Sequence, residues 1–73
     1  MTGKIKFVYG RSGFGKAVVE GRNFYFHANE DDEKRFTEGT MVEFEDTGSK
    51  FGPLPGNLAE NVRKVVNHQL KEG

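Results

Sequence analysis

The chain is short and contains no cysteine, so a single packed core must supply its stability. Its 73 residues suffice for one domain, which leaves no room for a catalytic cleft between two domains. The lack of cysteine excludes disulfides and thiolate metal sites, and His27 and His68 lie too far apart to predict a zinc pair. We therefore expect a small protein without cofactor or metal.

Short segments of β-branched and aromatic residues, separated by glycine, predict strands. These segments are 4–9, 17–19, 23–27 and 40–45. The highly charged stretch 29–35 predicts a surface loop with one helical turn, anchored by Phe36. The segment 47–56, with three glycines and two prolines, predicts an irregular loop.

The C-terminal segment carries two conflicting signals. Leu58 and Val62 belong to an apolar series at helical spacing, and Asn57 followed by Glu60 has the pattern of a capping box. A strand over 57–66 would instead close the open edge of a four-stranded sheet. The residues alone leave helix and strand open.

Charge is unevenly distributed although the formal net charge is zero. Residues 1–28 carry a net charge of +4, and residues 29–46 carry −6. A basic face formed by the first segment would attract a polyanion, while the acidic segment would repel it elsewhere. No apolar run reaches the roughly 20 residues of a membrane span, and the N-terminus lacks a secretory pattern, so we expect a cytoplasmic protein without a membrane partner.

One motif suggests nucleotide binding. The segment Gly10–Ala17 matches the P-loop pattern except at its last position, where Ala17 replaces the Ser or Thr that binds magnesium. A P-loop opens a helix, whereas 18–21 continues as a strand and a turn. We therefore predict no nucleotide hydrolysis and no enzyme.

The third predicted strand presents two sets of rings on opposite sides. Phe24 and Phe26 lie on the side of the strand that faces the core, and Tyr25 and His27 lie on the opposite side. Tyrosine and histidine tolerate water better than phenylalanine, so we expect Tyr25 and His27 to face outward. Val8 and Phe44 complete the predicted core, while Phe51 either stacks on a ligand or caps the core.

The outward rings predict a stacking platform for unpaired bases. Phe7, Phe14, Tyr25 and His27 are expected on one face, and glycines beside Phe14 would let a base approach the backbone. The predicted phosphate contacts are the basic residues among these rings, namely Lys4, Lys6, Arg11 and Lys16.

In order and spacing, several motifs resemble the bacterial cold-shock domain: Gly3–Phe7, Gly13–Gly15, Phe24–His27, Glu38-Gly39 before Val42–Phe44, Gly52-Pro53 and Ala59–Val62. Members of that family are five-stranded OB-fold barrels that bind single-stranded RNA and DNA. The resemblance implies an all-β, five-stranded antiparallel OB-fold barrel over residues 1–66, with a fifth strand through 59–62. It leaves a tail, 67–73, that is helical or disordered.

The chain departs from the family at three positions of the stacking surface. Phe7 replaces a tryptophan, and Lys16 and Ala28 each replace a phenylalanine. The resemblance therefore implies capture of single-stranded RNA or DNA with low sequence specificity, as an RNA chaperone or a regulator of transcription or translation. The alternative is a protein-interaction module in which nucleic-acid binding is weak or lost.

Overall fold

Residues 1–65, which the computed structural model describes, form five strands and one short helix. In chain order the elements are β1 (Thr2–Tyr9), β2 (Phe14–Val19), β3 (Arg22–His27), α1 (Glu30–Arg35), β4 (Met41–Lys50) and β5 (Asn57–Lys64). The strands close into a barrel in the spatial order β1, β2, β3, β5, β4, with β4 pairing back onto β1. The predicted small all-β barrel of five strands is confirmed, and its layout is OB-like.

One pairing in the barrel is parallel. The strands β3 and β5 run in the same direction and meet at Phe24 with Asn57 and at Tyr25 with Leu58. The other pairings are antiparallel, as predicted. A closed ring with an odd number of strands cannot alternate in direction all the way round, so a five-stranded barrel needs at least one parallel pairing.

The core is formed by the inward side chains of all five strands and by Phe36. The predicted core residues Val8, Phe24, Phe26 and Phe44 are all buried. The rings of Phe24 and Phe44 lie 5.0 Å apart at the centre. Burial of such rings supplies the main stabilisation of a barrel this small.

A β-bulge in β1 determines which side chains of that strand face outward. Ile5 pairs with Ala17, whereas Phe7 pairs with Lys16, so the register shifts by one residue between Ile5 and Phe7. An extra residue in one strand changes the alternation of its side chains. Ile5 and Val8 are consequently both buried, and Phe7 stays on the outer side.

The helix α1 occupies the charged stretch after β3. Asn29 caps it, accepting a hydrogen bond from the Asp32 backbone N–H while the Asp32 side chain accepts one from the Asn29 N–H. Phe36 follows the helix, is 2% exposed and packs edge-on against Phe26. The helical turn and its anchor lie where they were predicted. Among residues 1–65, no helix is long and apolar enough to cross a membrane.

The strand β4 runs further than its residue types predict. It continues to Lys50, so the irregular loop covers Phe51–Gly56 and not the whole of 47–56. Asp46 stabilises the extension, because its Oδ1 accepts hydrogen bonds from the Gly48 N–H and the Asn57 Nδ2. These bonds, together with nearby Arg22, hold the pKa of Asp46 below its ordinary value of 3.8.

The C-terminal segment is a strand as far as Lys64, so the helical interpretation is wrong there. Pairing with β4 and closure of the barrel override the local helical spacing, and Asn61 adopts a positive φ of 55° where a helix would need a negative one. The predicted tail over 67–73 lies outside the described residues.

Candidate nucleic-acid interface

Two rows of side chains cross the outer side of β1, β2 and β3. Pairing places Phe7, Lys16 and Tyr25 side by side in one row, and Tyr9, Phe14 and His27 in the next. Neighbours in such rows lie close enough to pack against each other. A sixth ring, from the loop after β4, packs on the same side. We call the resulting set the aromatic face: Phe7, Tyr9, Phe14, Lys16, Tyr25, His27 and Phe51.

The rings at the β1 side of the aromatic face form a stacked pair with a third ring set across it. Phe7 and Tyr9 are stacked with centres 4.4 Å apart and planes 15° apart. Phe14 meets both edge-on, at 5.9 Å from Phe7 and 6.0 Å from Tyr9. Tyr9 is 52% exposed, and Phe7 and Phe14 are half-buried, so this side presents ring surface to solvent.

Tyr25 lies on the outer side of β3, as predicted, but it is not exposed. Its exposed fraction is only 5%, because Phe51 covers it at 5.8 Å and Phe14 lies beside it at 6.3 Å. Gly56 also approaches closely, since a Cβ there would lie 2.8 Å from the Tyr25 ring. Tyr25 therefore supports the rings above it, and the expectation that it offers an open stacking surface is corrected.

Phe51 is the ring that covers the β3 side of the aromatic face. It lies 4.9 Å from His27 and 6.1 Å from Phe14 and is itself half-buried. The sequence left open whether Phe51 caps the core or joins the outer rings. The structure places it on the outer rings, and His27 beside it is exposed.

Lys16 brings a positive charge into the middle of these rings. Its Nζ lies 5.9 Å from the centre of the Phe7 ring and 6.0 Å from that of Tyr25, distances at which an aromatic ring attracts an ammonium. Lys16 is half-buried, whereas Lys4 and Lys6 are exposed on β1. The predicted basic residues thus divide into one cation within the face and others outside it.

Acidic residues share surface clefts with the outer basic residues. Lys4 and Lys6 border a shallow cleft with Glu38, and Arg11 borders another with Glu30 and Asp31. This proximity reduces the attraction that the exposed cations exert on a polyanion. The position of the acidic segment in the sequence suggested that it lies away from the predicted binding side. The structure corrects this expectation.

The turn between β1 and β2 uses its backbone donors internally. The N–H groups of Ser12 and Gly13 both donate to the carbonyl oxygen of Tyr9, at 3.1 and 2.9 Å. A strand follows this turn, where a P-loop needs a helix whose N-terminus faces the phosphates. The segment Gly10–Ala17 therefore lacks the geometry of a phosphate-binding P-loop.

The two glycines beside Phe14 have different roles. Gly13 has a φ of 90°, which a turn residue other than glycine rarely adopts, and a Cβ there would meet no other atom. A Cβ on Gly15 would point inward and lie 2.6 Å from Cζ of Phe26. Gly15 is thus required by the core, which corrects the idea that it opens the backbone to a base.

Sequence reasoning missed Tyr9 as a member of the aromatic face. Its position two residues after Phe7 in a strand is the signal that would have found it, because alternate side chains share a side. Phe51 had no comparable signal, since it belongs to an irregular loop. Comparison of the chain with protein-family models, with curated proteins and with solved structures finds no match.

Proposed function

We propose that this protein binds single-stranded RNA or DNA on the aromatic face, with low sequence specificity. The observation that carries the proposal is the gathering of six rings around one lysine on the outer side of three neighbouring strands. A barrel of this size needs rings inside for its core but has no structural need for so many outside. The resemblance to the cold-shock domain supports the same function.

Stacking would supply the base-independent part of the affinity. Tyr9 and His27 are the exposed rings of the face, and the half-buried ring of Phe14 lies between them in the same row. Phe51 extends this surface over β3. Each base stacked on such a ring contributes roughly 1–3 kcal/mol, with little dependence on the base. Lys4 and Lys6 at the edge would contact phosphates and make the affinity depend on salt.

This activity requires no chemical step. A protein that binds only unpaired strands shifts the pairing equilibrium of weak RNA structure by mass action. It would thereby act as an RNA chaperone, or as a regulator of transcription or translation where unpaired segments control either process.

A protein-interaction module is the second candidate. Two features favour it. The covered ring of Tyr25 offers less surface for stacking a base, and the acidic neighbours of Arg11 reduce its attraction for phosphates. In that case the aromatic face would bind an apolar segment of a partner, and aromatic residues are enriched in such interfaces.

The test is fluorescence anisotropy of a labelled single-stranded oligonucleotide, RNA and DNA in parallel, at two salt concentrations. Phe14→Ala should weaken binding by about 5- to 150-fold, which corresponds to the loss of one stacked base. Met41→Ala is the matched control, since Met41 is exposed and apolar but lies outside the aromatic face. Circular dichroism checks that both variants remain folded.

Three outcomes are decisive. Binding that weakens with salt and with Phe14→Ala, but not with Met41→Ala, would support the proposed mechanism. Equal loss in both variants would show that the rings are not the contact. An absence of wild-type binding at low salt would refute nucleic-acid binding, and a partner captured through the same rings would then support the second candidate.

A further inference from the structure

Lys16 is the polar group most favourably placed to distinguish one base from another. It stands between Phe7 and Tyr25 in the same cross-strand row, so its ammonium is surrounded by rings. Lys4 and Lys6, by contrast, are exposed outside the aromatic face. A base stacked on these rings would therefore lie closer to Lys16 than to the cations outside the face.

The ammonium of Lys16 has unused hydrogen-bonding capacity. The ion pairs among residues 1–65 use Arg22, Arg35 and Arg63, and Lys16 takes part in none of them. An ammonium carries three N–H donors and no acceptor. Lys16 is half-buried among rings, and a hydrogen bond is stronger in a less polar environment than in water, so an added acceptor is worth more there.

The distances allow such a contact with a base. The Nζ atom lies over the Phe7 and Tyr25 rings, 5.9 and 6.0 Å from their centres. Phe14 lies two residues from Lys16 on the same side of β2, so a base stacked on the Phe14 ring would bring its edge towards Nζ.

A group that only donates distinguishes bases by what they offer at that edge. Guanine presents O6 and N7 as two acceptors, and thymine or uracil presents O4. Adenine and cytosine place an amino group at the equivalent position, and because that group is itself a donor, an ammonium gains no hydrogen bond from it. Adenine keeps its N7, which is one acceptor where guanine offers two.

On the basis of the proposed function, we infer that Lys16 is a specificity-determining residue. It selects bases with a carbonyl at the purine 6 or pyrimidine 4 position, which are guanine, uracil and thymine, over adenine and cytosine. The stacking rings supply affinity for any base, and Lys16 adds a preference for the carbonyl-bearing class. This preference arises at a position where the cold-shock pattern has a phenylalanine.

The experiment compares a short single strand of adenosine with the same strand carrying inosine at alternate positions. Inosine replaces the 6-amino group with a carbonyl and keeps the purine ring for stacking. The wild-type protein should bind the inosine strand about fivefold more tightly, the low end of what one base contact contributes. Lys16→Met, which keeps the length of the side chain without its charge, should reduce that ratio to about one.

The change in ratio between wild type and Lys16→Met is the quantity that tests the inference. Any intrinsic difference in stacking between the two strands affects both proteins equally and cancels. Lys6→Met is the matched control, and it should lower the slope of log affinity against log salt by about 0.7 while keeping the preference for inosine.

Equal wild-type affinity for the two strands would overturn this inference alone. The same holds if Lys16→Met preserves the preference and lowers the salt slope by about 0.7, since Lys16 would then be a phosphate contact. Loss of the preference in Lys6→Met would also overturn it, because the effect would not depend on the central position. If neither strand binds the wild-type protein, the proposed function itself fails.

Discussion

Replacing Gly15 with alanine should destabilise the barrel without adding any strain to the backbone. Gly15 lies within β2, and it is not among the glycines of the described chain that adopt a positive φ, so alanine is compatible with its conformation. The added methyl group, however, would lie 2.6 Å from Cζ of Phe26 and 3.0 Å from Cγ2 of Val8. Phe26 is 3% exposed and packs edge-on against Phe36, so a shift of its ring would disturb the packing of the core.

Inserting one methyl group into a packed core of this kind costs about 1–3 kcal/mol. A value near 2 kcal/mol is expected here, and it would lower the melting temperature by about 8–16 °C in a domain of this size. The chain has no tryptophan, so unfolding is best followed by far-ultraviolet circular dichroism together with tyrosine fluorescence. Urea titration of the same samples gives the free energy of unfolding.

A second substitution separates crowding from other causes. Phe26→Leu removes Cζ and Cε2 of the ring, which the new methyl group would meet at 2.6 and 3.0 Å, at its own cost in stability. The double variant should therefore be more stable than the sum of the two single effects predicts. An unchanged melting temperature in Gly15→Ala would refute this account, and strictly additive effects would do the same. Preserved stability with lost oligonucleotide binding would instead restore the idea that Gly15 admits a base to the backbone.

Two further predictions concern the β4 end and its loop. The pKa of Asp46 is lowered chiefly by its hydrogen bond from Gly48, so its carboxylate stabilises the fold above pH 3.8, and this contribution is lost as the pH falls through the lower folded value. Asp46→Asn should therefore reduce the free energy of unfolding at neutral pH, and the difference from wild type, measured by urea titration, should shrink in strong acid. A difference that grew with acidity would contradict this assignment. Phe51→Ala should expose the ring of Tyr25, so acrylamide should quench a second tyrosine in addition to Tyr9, and quenching identical to wild type would show that Phe51 does not cover it.

Alternation of residue types correctly predicted the two core phenylalanines of β3. Phe24 and Phe26 occupy alternate positions of a strand, so they lie on the same side. Burying two phenylalanines is more favourable than exposing them, so this side of β3 faces inward. The same logic placed Tyr25 on the outer side. Its burial could not be predicted, because the covering ring, Phe51, comes from a loop whose path depends on the whole barrel.

Other differences come from interactions between strands rather than within them. The bulge in β1 depends on pairing with β2, and it decides that Phe7 faces outward although Ile5, two residues earlier, faces inward. The segment from Asn57 has a helical pattern, but closing the barrel satisfies the backbone of both β3 and β4. The parallel pairing could have been anticipated, since it follows from the number of strands alone.

That parallel pairing also makes one side of the barrel weaker than the rest. Only two residue pairs join β3 to β5, whereas six join β2 to β3. Segments held by few hydrogen bonds open at lower free energy than the global unfolding transition. Amide hydrogens along this junction should therefore exchange sooner than those between β2 and β3. Tyr25 lies on this junction and supports the rings above it. A ligand bound to those rings would therefore slow the exchange and stabilise the weakest side of the barrel.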